Sequence, residues 1–455
     1  MQRWTRRGVL ASGLALAACA LERPPLVKVY EAARPDTQPP LILIPGAFGS
    51  SLRDRRSGAE VWPVSDSHLL LGNYRRLELP IDPDTLEPVE DGIEAYAVFR
   101  EGLGRDFYGN VIDALQRVGG YRRCGPGKAP AEGECGLYPF IYDFRRDNVS
   151  AARALDALIQ RIRVDHGDPG LRVDIIAHSN GGLLARYYAR YGTADLPEHG
   201  ELLPTQAGAR NIRRLLLVGT PNLGTLQPVL SLLRGEEIGL RNIPPDVMAS
   251  CPGLTQLLPH PSVPWLVGLD GSVIRADLYD IATWRDCCWS LFDPRIAERT
   301  VAQHGGGAAG KRHLAILREY LARQLRRGRR FAEALGAGPE AIRPWVLGGD
   351  CELTLARLLV EGVHGQLHAR ERVTDIAAPV RGVDYDAAMF DPGDTVVTRP
   401  SLLGRASHGD GRSSGRESLR IAHAVFLCER HQQLMGNATI IDNVLHALFS
   451  GPDDA

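Results

Sequence analysis

The chain has 455 residues, with 53 basic against 54 acidic side chains and a formal net charge of −1. That balance excludes a protein held on nucleic acid mainly through phosphates, and 44% hydrophobic with 24% charged residues excludes a disordered or collagen-like chain. A chain of this length can bury a large core, either as several domains or as one decorated domain.

The first segment carries Arg3, Arg6 and Arg7, an apolar run from Gly8 to Ala18, and then Cys19. The run is too short to span a bilayer. Leu16-Ala17-Ala18-Cys19 offers the small residues and the thiol of a bacterial lipoprotein signal, and Thr5-Arg6-Arg7 resembles a twin-arginine export signal. Residues 1–24 are therefore expected to be a signal peptide and linker. Cys19 is the expected lipidation site, with the remaining chain exported to the periplasmic side and anchored to a bacterial membrane. In an oxidising compartment Cys124 and Cys135, which bracket a Gly/Pro/Glu loop, are the expected disulfide. Cys287-Cys288 is not a metal-ligand spacing, so neither a metal site nor a cofactor is expected.

Leu41-Ile42-Leu43-Ile44 ends in Pro45-Gly46-Ala47-Phe48-Gly49, which reads as a buried parallel strand opening into a glycine-rich loop. Similar runs at 171–177, 214–219 and 345–349 also end in small residues, and Ala151 to Val164 has helical apolar spacing. Alternating strands and helices predict a mostly parallel sheet covered on both faces, with the chemistry at the carboxyl ends of its strands. Residues 25–226 form the first part of this core, interrupted by an insertion at about 53–94. Residues 227–339 are expected to be a cap, and 340–455 the second part of the core. Within the insertion, Leu69-Leu70-Leu71 is too long an apolar run for one strand face and is expected either to meet lipid or to be buried together in a small core beneath the insertion.

Ala177-His178-Ser179-Asn180-Gly181-Gly182 follows a strand and precedes a helix whose Leu183, Leu184, Tyr187, Tyr188 and Tyr191 share a face. This pattern predicts an α/β-hydrolase nucleophile elbow, with Ala177 in place of the usual first glycine and Ser179 as nucleophile. A serine hydroxyl needs a base and a carboxylate, here in the chain order Ser, acid, His. The loop Asp391-Pro392-Gly393-Asp394 supplies acids. Val425 to His431 supplies a strand ending near a base, with His408 and His423 as rivals, whereas His178 is excluded because its side chain leaves the elbow in another direction. The oxyanion hole is expected from the backbone N–H of Asn180 and that of Ala47 or Phe48.

Taken together these segments resemble the lecithin:cholesterol acyltransferase family, which includes phospholipid:diacylglycerol acyltransferases and lysosomal phospholipase A. Pro45 to Leu52 resembles its oxyanion loop, Tyr142-Asp143-Phe144-Arg145 its Tyr-Asp-Trp-Arg segment, and Gly219-Thr220-Pro221 the strand end after the nucleophile helix. Gly393 to Arg399 resembles the acid loop, which implies Asp394 rather than Asp391 as the acid, and His431 with the helix after it resembles the histidine segment. Phe144 stands where the family usually has Trp in the acyl channel. Tyr142, Phe144 and Leu183 are thus the candidate substrate-binding residues. The resemblance implies two-step transfer from a long-chain lipid ester at a membrane surface, to water in a phospholipase or to an alcohol in an O-acyltransferase. A generic exported lipase or carboxylesterase on the same fold, and a non-catalytic lipid-binding lipoprotein, are the alternatives.

Overall fold

Short apolar runs ending in small residues build one sheet in the computed structural model, which describes Tyr30 and residues 38–63, 74–128, 130–131, 133–336, 340–363, 366–405 and 419–450. Cys19, the Leu69 to Leu71 triplet and His408 lie outside the described residues. The strands of the sheet are β1 (Leu41–Ile44), β2 (Tyr121–Arg123), β3 (Cys135–Pro139), β4 (Val173–His178), β5 (Ile212–Val218), β6 (Trp345–Gly349) and β7 (His423–Leu427). Their spatial order is β7-β6-β5-β4-β1-β3-β2, with every neighbouring pair parallel.

The strands are apolar throughout because both faces are covered. Ile42, Ile44, Ile175, Ala177, Leu215 and Leu217 point into one core cluster, whereas Leu41, Leu43, Ile176, Leu216 and Val218 point into the other. This is the period-two alternation of a strand, with apolar residues at both phases. Helix α1 (Gly109–Arg117) and helix α5 (Ala438–Phe449) cover the second face, and α2 (Asn148–His166), α3 (Asn180–Tyr191) and α4 (Gly307–Gly336) the first. Helix α2 starts at Asp147, whose side chain accepts the Val149 N–H, and stops at Gly167 in the left-handed region.

The two excursions from the sheet have structure of their own. Ser50–Asp54 pairs antiparallel with both Glu60–Trp62 and Ile93–Val98. Residues 227–306 form short helices and strands, and the long α4 that follows returns to the body, where Phe331 stacks on Tyr187 and the Tyr191 hydroxyl donates to the Ala334 carbonyl. Arg186, fully buried on α3, pairs with Glu340 at 2.6 Å just before β6. Among the described residues, no helix is long and apolar enough to cross a membrane.

The expected Cys124–Cys135 disulfide is not formed; both thiols are free, and the bridge is Cys351–Cys428. The reason lies in strand direction. Because β2 and β3 run parallel, Tyr121 pairs with Cys135 and Arg123 with Leu137, so Cys124 falls about three residues, or roughly 10 Å, along from Cys135. A loop between parallel strands must return to the starting edge, and its two ends stay apart. Cys351 and Cys428, in contrast, follow the ends of β6 and β7, which are neighbours in register.

Candidate active site

At the end of β4 the chain turns sharply into α3, and Ser179 occupies the turn with φ 52° and ψ −124°. For a residue with a Cβ this is a sparsely populated conformation, and it lifts the side chain clear of the sheet. The turn tolerates no bulk beside it. A Cβ on Gly46 would lie 2.8 Å from the Ser179 Cβ, and one on Gly182 only 2.0 Å from the Thr220 Oγ1. Ala177, in place of the usual glycine, is fully buried within β4 between β1 and β5.

Ser179 Oγ lies 3.0 Å from His431 Nε2, and His431 Nδ1 lies 2.8 Å from Asp394 Oδ2. The three come from different places: the elbow after β4, the loop after the short strand Phe390–Gly393, and the turn after β7. Asp394 is fully buried, and its Oδ1 accepts the N–H groups of Val396 and Val397 at 3.1 and 2.7 Å. Those bonds fix the carboxylate, so Oδ2 is left for the imidazole. The His431 N–H donates to the Asp394 carbonyl at 2.8 Å, which ties the two loops together through backbone as well.

The other candidates fall elsewhere. Asp391 pairs with Arg357 at 3.0 Å. His423 begins β7, at the opposite end of the strand from His431, with its ring 4.6 Å from Trp345. His178 Nδ1 meets the Tyr108 hydroxyl at 2.8 Å; burial, reinforced by nearby His431, holds this imidazole well below the ordinary histidine range and therefore neutral.

Ser179 is the N-cap of α3 but makes no side-chain capping bond, and the N–H of Asn180 is free of any described partner, as are those of Ala47 and Phe48. Phe48, in the loop after β1, also has φ 60°, a left-handed conformation that is uncommon for a residue with a Cβ. This loop is held from several sides. The Tyr142 hydroxyl donates to the Pro45 carbonyl at 3.0 Å, the Gly46 N–H donates to the Tyr108 hydroxyl at 2.8 Å, and Trp62 Nε1 donates to the Phe48 carbonyl at 2.9 Å. Asn180 Nδ2 in turn donates to the Tyr142 hydroxyl, while Asn180 and Asn148 exchange a pair of amide bonds at 2.9 Å each. Sequence reading did not find Tyr108 or Asn148. Neither sits in a motif, and only the fold brings them to the loop.

Tyr142 therefore braces the loop through its hydroxyl. Phe144 packs on Phe48 with ring centroids 4.7 Å apart, and both line a narrow apolar cavity completed by Leu77, Val247, Met248 and Leu254. Leu183 is buried in the main core and does not line that cavity. The polar members of the Tyr142 to Arg145 segment do another job: buried Arg145 pairs at 2.7 Å with both Asp143 and Asp91 of the insertion.

Comparison with known proteins bears on the fold. A solved structure described as the crystal structure of the Tle4–Tli4 complex matches with a TM-score of 0.51 at 15% identity, over 90% of this chain and 98% of that one. Together with the parallel sheet and the elbow, this places the chain in the α/β-hydrolase fold. No family model matches the sequence, and no curated protein does.

Proposed function

We propose that the chain is a serine-dependent enzyme that cleaves lipid esters through an acyl-enzyme, of the kind represented by the lecithin:cholesterol acyltransferase family, and passes the acyl group to water or to an alcohol. The observation that carries this reading is the hydrogen-bonded line Ser179–His431–Asp394 at the carboxyl edge of the sheet. His431 Nε2 takes the hydroxyl proton as Ser179 Oγ attacks the ester carbonyl. Asp394 holds Nδ1–H and stabilises the imidazolium. Charge developing on the carbonyl oxygen is met by the N–H of Asn180 and those of Ala47 or Phe48, worth about 3–4 kcal/mol per well-aimed donor. The leaving alcohol departs with the proton from His431. Water or an acceptor alcohol then gives its proton to His431 and attacks the acyl-enzyme, which releases a fatty acid or a new ester and returns the proton to Ser179.

Two further features support a lipid substrate and an extracytoplasmic setting. The void against Phe48 and Phe144 is apolar and lies beside the proposed oxyanion loop, and at about 20 Å³ it would have to open to admit an acyl chain. The Cys351–Cys428 disulfide fits an oxidising compartment and agrees with the export signal read at residues 1–24. The test is one incubation with acyl-labelled phospholipid, with and without diacylglycerol or sterol. Labelled fatty acid alone makes the enzyme a phospholipase, and labelled neutral ester makes it a transferase. Neither product, against turnover of a short-chain soluble ester, would leave a generic esterase.

A further inference from the structure

A second cluster of reactive side chains lies where two helices of the excursion meet. His304 caps the helix Pro294–Gln303, and His313 sits in the second turn of α4. The Gly305-Gly306-Gly307 turn between them, with φ values of 86°, 61° and 48°, folds the helices together until the two imidazoles stack, ring centroids 3.5 Å apart and 9° from parallel. Both rings present Nε2 to one oxygen: His304 Nε2 lies 2.9 Å and His313 Nε2 3.1 Å from Glu78 Oε1. Glu78 arrives from the other excursion, directly after the turn Tyr74–Leu77. Its Oε2 is taken by Arg75 at 2.9 Å, which leaves Oε1 to the imidazoles.

The protein itself leaves the imidazole nitrogens of this cluster incompletely served. His304 Nδ1 lies 2.9 Å from the Thr300 carbonyl, so this nitrogen is a donor and carries hydrogen. In the neutral ring Nε2 is then a bare lone pair, aimed at a carboxylate. His313 Nε2 is buried 3.1 Å from the same oxygen but off the hydrogen-bonding direction, so it makes no hydrogen bond there. A single dication between the three atoms, which all lie within 4.8 Å of one another, would give all of them a partner at once.

We propose that Glu78, His304 and His313 form a binding site for a divalent transition metal of the zinc class. Two imidazoles select against calcium and magnesium, which take shells of oxygen, and two nitrogens with one carboxylate oxygen suit zinc with a fourth position left to water. Zinc bonds of about 2.0–2.1 Å in a tetrahedron space their ligand atoms about 3.3 Å apart. The observed 2.9 and 3.1 Å come within a few tenths of an ångström of this, and the two rings, now 9° from parallel, must splay for both Nε2 lone pairs to converge on the ion. The Nδ1–H of His304 on a carbonyl is the outer contact that fixes a metal-bound imidazole in the correct tautomer. Because Leu77, the neighbour of Glu78, lines the apolar cavity beside Phe48, the ion ties the helix pair to the wall of that cavity.

The purified full-length chain, stripped by chelator and dialysed, is titrated with zinc and separately with cobalt(II). The expected result is one equivalent of metal per chain, the visible absorption of tetrahedral cobalt lost on zinc addition, and a melting temperature raised by a few degrees with zinc. Glu78→Gln and His313→Asn should each weaken zinc retention by at least about tenfold and remove the cobalt band. Ser179→Ala should bind both metals as the unaltered chain does, which separates this site from the acyl chemistry. If a ligand variant does not fold, the cobalt spectrum of the unaltered chain decides. No stoichiometric metal, no cobalt band and no zinc-dependent melting shift would overturn the proposal and leave a His–Glu hydrogen-bonded cluster. Undiminished binding by both ligand variants would place the ion elsewhere and overturn it equally.

Discussion

Replacing both Cys351 and Cys428 by Ser removes the covalent tie between the ends of β6 and β7 and should affect stability and turnover together. The bridge closes a loop with a sequence separation of 77 residues. The chain-entropy relation gives a ceiling of about 4.5 kcal/mol for a loop of that size, and bridges commonly deliver about 2–4. Unfolding entropy of about 2.1 cal/mol/K per residue sums to about 1 kcal/mol/K for this chain, so the melting temperature should fall by about 2–5 °C. The effect on catalysis has a separate cause. His431 follows Cys428 by three positions, and its N–H is held by the Asp394 carbonyl. A displacement of about 1 Å at such a base can cost up to about a hundredfold in rate. Scanning calorimetry and hydrolysis of a soluble short-chain ester, each with and without reductant, measure both effects. Unchanged melting and turnover in the double variant, or a peptide map that links Cys124 to Cys135, would refute this reasoning.

Asp394→Asn should keep the fold, since an amide oxygen can still accept from Val396 and Val397, yet reduce turnover by about 10⁴-fold because the imidazole loses its tautomer and its counter-charge; steady-state kinetics beside a melting curve check this. Gly182→Ala should cost about 1–3 kcal/mol or prevent folding, because the new methyl would meet the Thr220 Oγ1 at 2.0 Å; denaturant unfolding or soluble yield reports it. Burial, with Arg186 and Arg329 adding to it, lowers the pKa of His260 to about 4 from 6.5. The unfolded chain therefore binds this proton at a higher pH than the folded one, and stability is complete above about pH 6.5 and lost as the pH falls toward 4. That single group accounts for about 3 kcal/mol, and urea unfolding across this range should show a shallower loss for His260→Asn.

Much of the sheet is legible because its signals are local. The runs at 41–44 and 345–349 are the strands themselves, and the strand, tight turn and helix around Ser179 need only neighbouring residues to be recognised. The acid and the base lie far along the chain, but Asp394 has its own Thr-Val loop and His431 follows its own strand, and the fold then brings both to Ser179. What escapes the sequence depends on strand order. Nothing near Cys351 or Cys428 says that β6 and β7 are neighbours, while the bracketed loop of Cys124 and Cys135 suggests a hairpin that parallel strands forbid. Tyr108, Asn148 and Glu78 were hidden for the same reason. Each acts on a residue tens or hundreds of positions away, through one or two side-chain atoms, with no periodicity to mark it.

The central claim is that Ser179 is a nucleophile activated by His431, and covalent labelling tests it most directly. The unaltered chain, treated with a fluorophosphonate and analysed by intact mass and peptide mapping, should gain one phosphonyl group on Ser179. Labelling should vanish in Ser179→Ala and slow by several orders of magnitude in His431→Ala, because a triad acts as a unit. Undiminished labelling of Ser179→Ala, or an adduct mapped to another residue, would contradict the account.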